Sequence, residues 1–203
     1  MFVKICGIAN REDAIAVARL APDALGFIFW PDSPRGVTAD QVAAWTPLLP
    51  SSIHKVGVFV SPTPAEVTRT VHRAGLDVVQ LHQVSSVDAF RVAGCAIWEV
   101  IHADRFDWTR IGRARVDAYV ADTYSKEAPG GTGKVGNWEA IRTVAHRQKI
   151  PVIMAGGLNR DNIREAIRAV QPWGVDVSSG VEVSPGRKDL RAVEELIRSC
   201  RNQ

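Results

Sequence analysis

The chain has 203 residues, of which 46% are hydrophobic and 23% are charged, and its formal net charge at pH 7 is +3. This composition is typical of a globular protein with one well-filled core, so we expect a single domain over residues 1–203. The small net charge, without a run of basic residues, argues against a nucleic-acid surface. No stretch approaches the roughly 18 apolar residues of a membrane span and no secretion signal opens the chain, so we expect a cytoplasmic protein.

Short apolar runs bounded by turn-forming residues predict eight strands along the chain. Between them, stretches such as Glu12–Leu20 and Asn162–Val170 carry apolar residues every three or four positions, which predicts helices with one apolar and one charged face. The strand runs are apolar throughout, as parallel strands covered on both faces are. The predicted strands are Val3–Cys6, Ala24–Phe29, Lys55–Val60, Val78–Leu81, Ile97–Ile101, Ala118–Ala121, Val152–Ala155 and Val175–Val177.

This alternation of strands and helices predicts an α/β protein. Eight units of roughly 25 residues each fit a single (β/α)8 barrel, the TIM barrel, at the short end of its size range. An open doubly wound sheet is the alternative, but it usually carries G-x-G-x-x-G after its first strand. Here the first strand is followed by Gly7-Ile8-Ala9-Asn10, which lacks that pattern.

Side chains at the carboxyl ends of barrel strands face one common mouth, where barrel enzymes keep their chemistry. Cys6 and Asp122 end the first and sixth predicted strands, so a thiol and a carboxylic acid would face each other there, as removal and delivery of a proton require. As a base, Cys6 would need its pKa lowered toward neutrality, and Lys4 and Arg35 are the candidate cations. The alternatives are a packing role for the cysteine and a helix cap for the aspartate.

Two further polar residues lie at the predicted mouth. Arg35 follows the second strand in a loop with two prolines and could hold a substrate carboxylate with paired hydrogen bonds. His82 ends the fourth strand and could line the pocket or orient a neighbour. The alternatives are a solvated arginine and a hydrogen-bonded histidine at the rim.

Glycine-rich loops follow the last three predicted strands. They are Pro129–Lys134, Ala155–Gly157 and the long stretch Asp176–Asp189. Barrels commonly bind phosphate with the loops after strands seven and eight and the start of a short helix, which Ser178–Glu182 can form. Turn geometry would explain any one of these loops, but the three together favour phosphate binding.

Nothing in the sequence has the pattern of a metal or cofactor site. The three cysteines, Cys6, Cys95 and Cys200, form no C-x-x-C pair, and no P-loop or Ser-His-Asp pattern occurs. We therefore expect no metal and no cofactor. Proton transfer on a sugar phosphate without a cofactor means an isomerisation, an epimerisation or a related rearrangement.

Ten short motifs occur in order along nearly the whole chain: Val3–Ile8, Gly26–Phe29, Ser33–Arg35, Val56–Phe59, Val79–His82, Asp122, Gly130–Gly133, Ala155–Leu158, Asp176–Glu182 and Pro185–Asp189. Each could arise by chance, but the ordered set is specific. It resembles the phosphoribosylanthranilate isomerase family of tryptophan biosynthesis, a branch of aromatic amino acid biosynthesis. The chain departs from the family pattern at Gln83, at Gly36 and at Gly136-Asn137, none of which is a reacting group.

The resemblance implies an intramolecular aldose-ketose isomerase. Such an enzyme converts N-(5-phospho-β-D-ribosyl)anthranilate to 1-(2-carboxyphenylamino)-1-deoxy-D-ribulose 5-phosphate by an Amadori rearrangement. By resemblance, Asp122 is the general acid that opens the ribose ring and Cys6 is the general base that removes the C2 proton. Arg35 would bind the anthranilate carboxylate, Asp176 the ribose hydroxyls, and His82 would line the substrate pocket. The implied phosphate-binding residues are Gly131, Gly133, Gly156, Gly157, Ser179 and Gly180.

Other functions fit the same phosphate end. A ribulose-phosphate epimerase would need metal-binding His and Asp at the strand ends, and an indole-glycerol-phosphate synthase would need a catalytic Lys and Glu, where this chain has Cys6 and Asp122. From another class, a phosphate-binding protein without activity would lack one of these two groups. The only partner we expect is a small-molecule sugar phosphate, with no nucleic acid and no membrane, bound by a monomer or a homodimer.

Overall fold

Eight parallel strands form a closed barrel in which neighbours in the chain are neighbours in space and the last strand pairs with the first. The computed structural model describes residues 1–92, 94–102, 115–122 and 137–202. The strands are β1 (Phe2–Ile5), β2 (Ala24–Ile28), β3 (His54–Val60), β4 (Val78–His82), β5 (Ala96–His102), β6 (Ala118–Asp122), β7 (Val152–Met154) and β8 (Gly174–Val177). The predicted barrel is confirmed, and each strand boundary lies within one residue of its predicted position.

Six helices of the described residues surround the barrel. They are α1 (Arg11–Arg19), α2 (Ala39–Trp45), α3 (Pro64–Ala74), α4 (Trp138–Arg147), α5 (Ile163–Val170) and α6 (Leu190–Arg201). Side-chain caps begin several of them: Asn10 accepts a hydrogen bond from the Asp13 N–H, and Thr38 and Thr63 form capping boxes with residues three positions on. In the described part of the chain, no helix is long and apolar enough to cross a membrane.

Apolar side chains fill two layers. One lies inside the barrel and includes Val56, Val58, Trp98 and Ile153, and the larger one lies between the strands and the helices. At the amino end, the Phe2 ring stacks on Trp173 with centroids 4.6 Å apart and meets Trp98 edge-on at 5.8 Å. These aromatic rings pack the amino end of the barrel, and the cavity with its polar side chains lies at the carboxyl end.

The stretch after β8 differs from its prediction. The expected short helix over Ser178–Glu182 is a single 3-10 turn at Ser179–Val181, and a two-stranded hairpin follows it, β9 (Glu182–Ser184) and β10 (Arg187–Lys188). Gly186 in the hairpin turn has φ +79°, a backbone conformation that glycine adopts without strain. The hairpin extends from the barrel's carboxyl end toward the start of α1, as the contacts of Lys188 below show.

Candidate active site

One cavity at the carboxyl end of the barrel brings together eight of the predicted site residues. They are Cys6, Arg35, His82, Asp122, Gly156, Gly157, Asp176 and Ser179. Gly180 is not among the lining residues; it packs against Leu158 and Asn159 of the loop after β7. Gly131 and Gly133 lie outside the described residues.

Cys6 directly follows β1 and is only 7% exposed. Its Sγ lies over Gly26 of the neighbouring strand β2. A Cβ at Gly26 would approach Cys6 Sγ to 2.7 Å and Lys4 Cε to 3.0 Å. The thiol and the lysine therefore share the space that the missing side chain of Gly26 leaves.

Lys4 is fully buried inside the barrel, where its Nζ donates a hydrogen bond to Asp176 Oδ2 at 2.7 Å. The two residues are register partners on β1 and β8. Burial favours the neutral amine, but the negative charge of Asp176 and its hydrogen bond, with a smaller contribution from Cys6, outweigh burial and raise the pKa of Lys4 above its ordinary value. Lys4 is therefore an ammonium group beside the thiol.

Lys4, one of the two candidate cations, acts to lower the pKa of Cys6, but the net shift of that pKa is upward. Burial raises the pKa of the Cys6 thiol, Lys4 opposes that shift, and Asp176 adds to it. The net direction is upward because burial of the thiol is the largest of these effects and outweighs the charge of Lys4. Cys6 is thus a neutral thiol at pH 7.

Asp122 ends β6 and is buried at the cavity wall, with His102 of β5 as its register partner. His82 ends β4. Burial of its ring lowers the pKa of His82 to about 3, and the positive charges of Lys4 and His102 act in the same direction. His82 is therefore a neutral imidazole, which neither neutralises a carboxylate nor binds an anion by charge.

Gln80 is a cavity residue that the sequence reasoning missed. It lies on β4 two positions before His82 and is 2% exposed, and its Nε2 is 3.3 Å from His82 Nε2. Because an amide nitrogen only donates, His82 Nε2 accepts and the ring proton is on Nδ1. Gln80 Oε1 has no hydrogen-bond partner among the described residues, so it can accept one from a bound molecule.

Arg35 reaches the cavity from the loop after β2, and the buried side chain of Glu182 holds it. Arg35 Nε donates to both Glu182 carboxylate oxygens at 2.9 and 3.1 Å, and Nη2 donates to Oε2 at 2.7 Å. Lys188 Nζ donates to Glu182 Oε1 at 2.7 Å from the other side. These hydrogen bonds raise the pKa of Arg35 and, despite the opposing effect of burial, lower that of Glu182.

The loops after β7 and β8 together form one end of the cavity. Gly156 and Gly157 both have positive φ, +90° and +67°, which side chains rarely allow. Asn162 Nδ2 donates to Gly157 O at 2.9 Å and fixes that loop. Ser179 begins the 3-10 turn beside it. Short turns of this kind expose backbone N–H groups, which suits an anion.

Sequence reasoning placed Cys6 and Asp122 at the mouth and named Lys4 as a candidate cation, but it missed Gln80, Glu182 and Lys188. A signal existed for Gln80, which is a polar residue inside the apolar strand run Val79-Gln80-Leu81, as Lys4 is inside Val3-Lys4-Ile5. A polar side chain at such a position points inward or must be paired. Among the described residues, no group of three or more His, Cys, Asp or Glu is arranged to hold a metal ion.

Known proteins of one family match this chain along nearly its whole length. A family model described as N-(5'phosphoribosyl)anthranilate (PRA) isomerase matches residues 3–199. The N-(5'-phosphoribosyl)anthranilate isomerase of Pelobacter propionicus is 42% identical over 200 residues, which are 97% of this chain and 93% of that protein.

Solved structures of the same fold also match this chain over its whole length. The phosphoribosyl anthranilate isomerase of Thermotoga maritima has a TM-score of 0.88 and 33% identity, with 100% of both chains covered. A second isomerase structure, in complex with reduced 1-(o-carboxyphenylamino)-1-deoxyribulose 5-phosphate, has a TM-score of 0.82 and 29% identity, again with 100% of both chains covered. The chain belongs to the N-(5'-phosphoribosyl)anthranilate isomerase family.

Proposed function

We propose that this chain converts N-(5-phospho-β-D-ribosyl)anthranilate to 1-(2-carboxyphenylamino)-1-deoxy-D-ribulose 5-phosphate, the isomerase step of tryptophan biosynthesis. The observation that carries the proposal is one thiol and one carboxyl group, Cys6 and Asp122, at the mouth of one cavity. The same cavity offers a guanidinium at Arg35 and a pair of glycine-rich loops. A substrate with a carboxylate at one end and a phosphate at the other complements that arrangement. Family membership supports the same reaction.

In the first step, protonated Asp122 gives its proton to the ribose ring oxygen, the bond from C1 to that oxygen breaks, and a cationic Schiff base forms at C1 and nitrogen. In the second step, the Cys6 thiolate removes the C2 proton and the electron pair neutralises the Schiff base, leaving an enolamine. The ketone forms when C1 gains a proton and the C2 hydroxyl loses one. If the thiol supplies the first and the Asp122 carboxylate accepts the second, Cys6 is again the thiolate and Asp122 is again the protonated acid.

The two reacting groups need opposite protonation, the acid with its proton and the base without it. Cys6 has a raised pKa, so a thiolate needs positive charge at the moment of reaction. Lys4 supplies a fixed positive charge beside Sγ, and the Schiff base cation adds a second one. The resting thiol therefore loses its proton to solvent before the second step, and the two positive charges stabilise the thiolate in the intermediate that needs it.

We assign the binding roles by the groups that each residue still offers. Arg35 binds the anthranilate carboxylate through the guanidinium edge that Glu182 does not occupy. Asp176 Oδ1, which has no hydrogen-bond partner among the described residues, accepts hydrogen bonds from ribose hydroxyls, and His82 lines the pocket. The phosphate is bound by Gly156, Gly157 and Ser179, together with Gly131 and Gly133, and Gly180 shapes that end by packing against the loop after β7.

The test is the decay of substrate fluorescence when purified protein is added to phosphoribosylanthranilate generated in situ, with a chelator present. We expect turnover by the parent and a loss of about 10²- to 10⁴-fold for Cys6→Ser and for Asp122→Asn, because each loses a proton-transfer group. Both variants should still bind the reduced product, because its binding groups are unchanged.

Two matched controls make the same chemical changes away from the cavity. Cys95→Ser replaces a half-buried thiol that contacts Leu76 O, and Asp161→Asn replaces an exposed carboxylate. Both should keep parental turnover. Near-normal turnover by Cys6→Ser would show the base assignment to be wrong, and a folded parent without turnover would refute the reaction.

A further inference from the structure

Glu182 makes a set of contacts that the proposed chemistry does not require. It begins β9, outside the predicted site, and its side chain is 4% exposed. Three hydrogen bonds from Arg35 and one from Lys188 converge on its two oxygens, with distances from 2.7 to 3.1 Å. A buried carboxylate so fully paired is held in one position.

These contacts determine which N–H groups of the Arg35 guanidinium remain available to donate hydrogen bonds to a ligand. A guanidinium has five N–H bonds in a planar fork. Glu182 engages the edge formed by Nε and Nη2. The end formed by Nη1 and the second hydrogen of Nη2 is left to the cavity, and this end can pair with both oxygens of a ligand carboxylate.

Both partners of Glu182, Lys188 and Arg35, are themselves held by other parts of the chain. Lys188, whose side chain is fully buried, donates from Nζ to Ser178 O at 3.2 Å as well as to Glu182. The Lys188 backbone N–H donates to Asp13 Oδ2 in α1 at 2.8 Å. On the other side, Arg35 Cδ lies so close to Gly7 that a Cβ there would be 2.6 Å away. The guanidinium is therefore braced by the loop after β1, by α1 and by the hairpin.

We propose that Glu182 is a positioning residue that fixes which edge of Arg35 faces the cavity and thereby selects ligands that carry a carboxylate at that end. The inference rests on the proposed function for the identity of that carboxylate, the one on the anthranilate ring. Glu182 does not touch the substrate. It acts through Arg35.

A different role for Glu182 would be to lower the positive charge of the cavity. Arg35 and Lys188 bring two positive charges and Glu182 brings one negative charge, so one positive charge is left to meet a ligand anion. The two roles predict opposite results when the charge is removed. If Glu182 only balances charge, Glu182→Gln binds the ligand more tightly; if it positions Arg35, this variant binds the ligand less tightly.

The experiment is a double-mutant cycle on ligand binding, measured by calorimetry with two probes. One probe is reduced 1-(o-carboxyphenylamino)-1-deoxyribulose 5-phosphate, and the other is the same reduced compound made from aniline, which lacks the carboxylate. For the first probe, we expect Kd to rise about 10- to 100-fold in Glu182→Gln, as a misplaced binding group predicts. For the aniline compound, Kd should stay within about twofold, because it makes no use of Arg35.

In the double-mutant cycle, adding Glu182→Gln to Arg35→Ala should leave the Kd for the first probe unchanged, because Glu182 acts only through the Arg35 side chain. Glu182→Asp keeps the negative charge but shortens the side chain, so its Kd for the first probe should lie between those of the parent and of Glu182→Gln. The control is Asp40→Asn, which removes an exposed carboxylate paired with Arg73 at 2.6 Å on the helical surface and should change neither Kd.

Three results would overturn the proposal: additive effects in the cycle, an equal loss of affinity for both probes, or tighter binding by Glu182→Gln. An equal loss for both probes would mean that Glu182 supports the fold of the whole mouth. Turnover of the parent is measured separately. A parent that binds the reduced product but does not rearrange the substrate would refute the proposed function and leave the cycle a valid test of Glu182.

Discussion

Lys4 is shared between two acidic groups, and the balance between them sets the protonation of Cys6. Its Nζ donates to Asp176 at 2.7 Å, and its charge and a hydrogen bond also act on the thiol. The other charged groups that act on Cys6 are Asp176 from β8, Lys188 from β10 and Arg35 from the loop after β2. Lys4 is the largest opposing influence against the burial that keeps the thiol neutral.

We expect Lys4→Met to raise the pKa of Cys6 further, because the positive charge that favours the thiolate is removed. The acidic limb of the pH profile of kcat/KM should move to higher pH, and activity at pH 7 should fall about tenfold for every pH unit that this limb moves. Activity should partly recover in alkaline buffer. The measurement is kcat/KM from about pH 6 to pH 10 in roughly half-unit steps.

Lys55→Met is the matched control for this change. Lys55 on β3 also pairs with an aspartate, Asp77, at 2.7 Å, but outside the cavity. Its pH profile should match that of the parent. An acidic limb that stays in place in Lys4→Met would show that Lys4 does not tune the thiol.

At the scale of elements, the loops after β7 and β8 pack together as one unit. A Cβ on Gly180 would collide with Leu158 O and would lie 2.9 Å from Asn159 Cα, and both of these are backbone atoms. The facing loop is held by hydrogen bonds among Asn159, Asn162 and Gly157. Gly180 therefore shapes this end of the cavity by close packing rather than by lining it.

We expect Gly180→Ala to push the two loops apart and to raise the Kd for ribose 5-phosphate at least about tenfold, because the N–H groups of both loops must converge on one anion. Overpacking should also lower the free energy of unfolding by about 1–3 kcal/mol. Calorimetry and urea unfolding measure the two effects.

Gly94→Ala is the control that separates a general loss of stability from a change in ligand binding caused by Gly180→Ala. Gly94 has φ +81° and no atom within 4 Å of an added Cβ. The substitution should cost about 1 kcal/mol of backbone strain and leave the Kd for ribose 5-phosphate unchanged. Equal losses of affinity in both variants would contradict the role given to Gly180.

The elements differ in how far the sequence predicts them. Apolar runs such as Val56–Phe59 and Ala118–Ala121 predict strands because a buried parallel strand has no polar face. Cys6 and Asp122 were identified because such runs end at the mouth. The hairpin after β8 was missed, although Pro185-Gly186 is a strong turn signal, because its strands are only three and two residues long.

Glu182 and Lys188 could not be assigned from the sequence, because their contacts depend on the folded chain. Arg35 and Glu182 are 147 positions apart, and Lys188 and Asp13 are 175 apart. No local pattern marks a partner at such a distance. The direction of the Cys6 pKa shift could not be assigned either, because burial of the thiol and the ion pair of Lys4 with Asp176, 172 positions away, exist only in the folded chain.

For the molecule as a whole, His82 links stability to pH. Its pKa is about 3 in the folded protein and near its ordinary value of 6.5 in the unfolded chain. Between those values the unfolded chain binds the proton that the folded protein excludes, so stability is lost as the pH falls below about 6.5. Glu182, whose pKa is lowered, contributes stability above its ordinary pKa of 4.5 and loses it only in more acidic solution.

We expect the free energy of unfolding of the parent to fall between pH 7.5 and pH 5.5, and part of this fall to be absent in His82→Gln. The part due to His82 should have a slope of at most about 1.4 kcal/mol per pH unit, because one proton is bound. Urea unfolding at both values, for parent and variant, measures the difference. His72→Gln, a change on the surface helix α3, is the control and should behave as the parent does. Identical pH dependence in parent and His82→Gln would refute the link.

The seam between β1 and β8 carries the ion pair of Lys4 with Asp176, and the hairpin beyond it carries the partners of Arg35. During synthesis on the ribosome, the strands of the first half emerge with their lysine and arginine long before the counter-charges exist. An incomplete barrel thus carries cations without partners, which burial would penalise, and β8 and the hairpin after it supply the carboxylates that make closure favourable. The same contacts that close the barrel therefore also place Lys4 and Arg35 at the cavity.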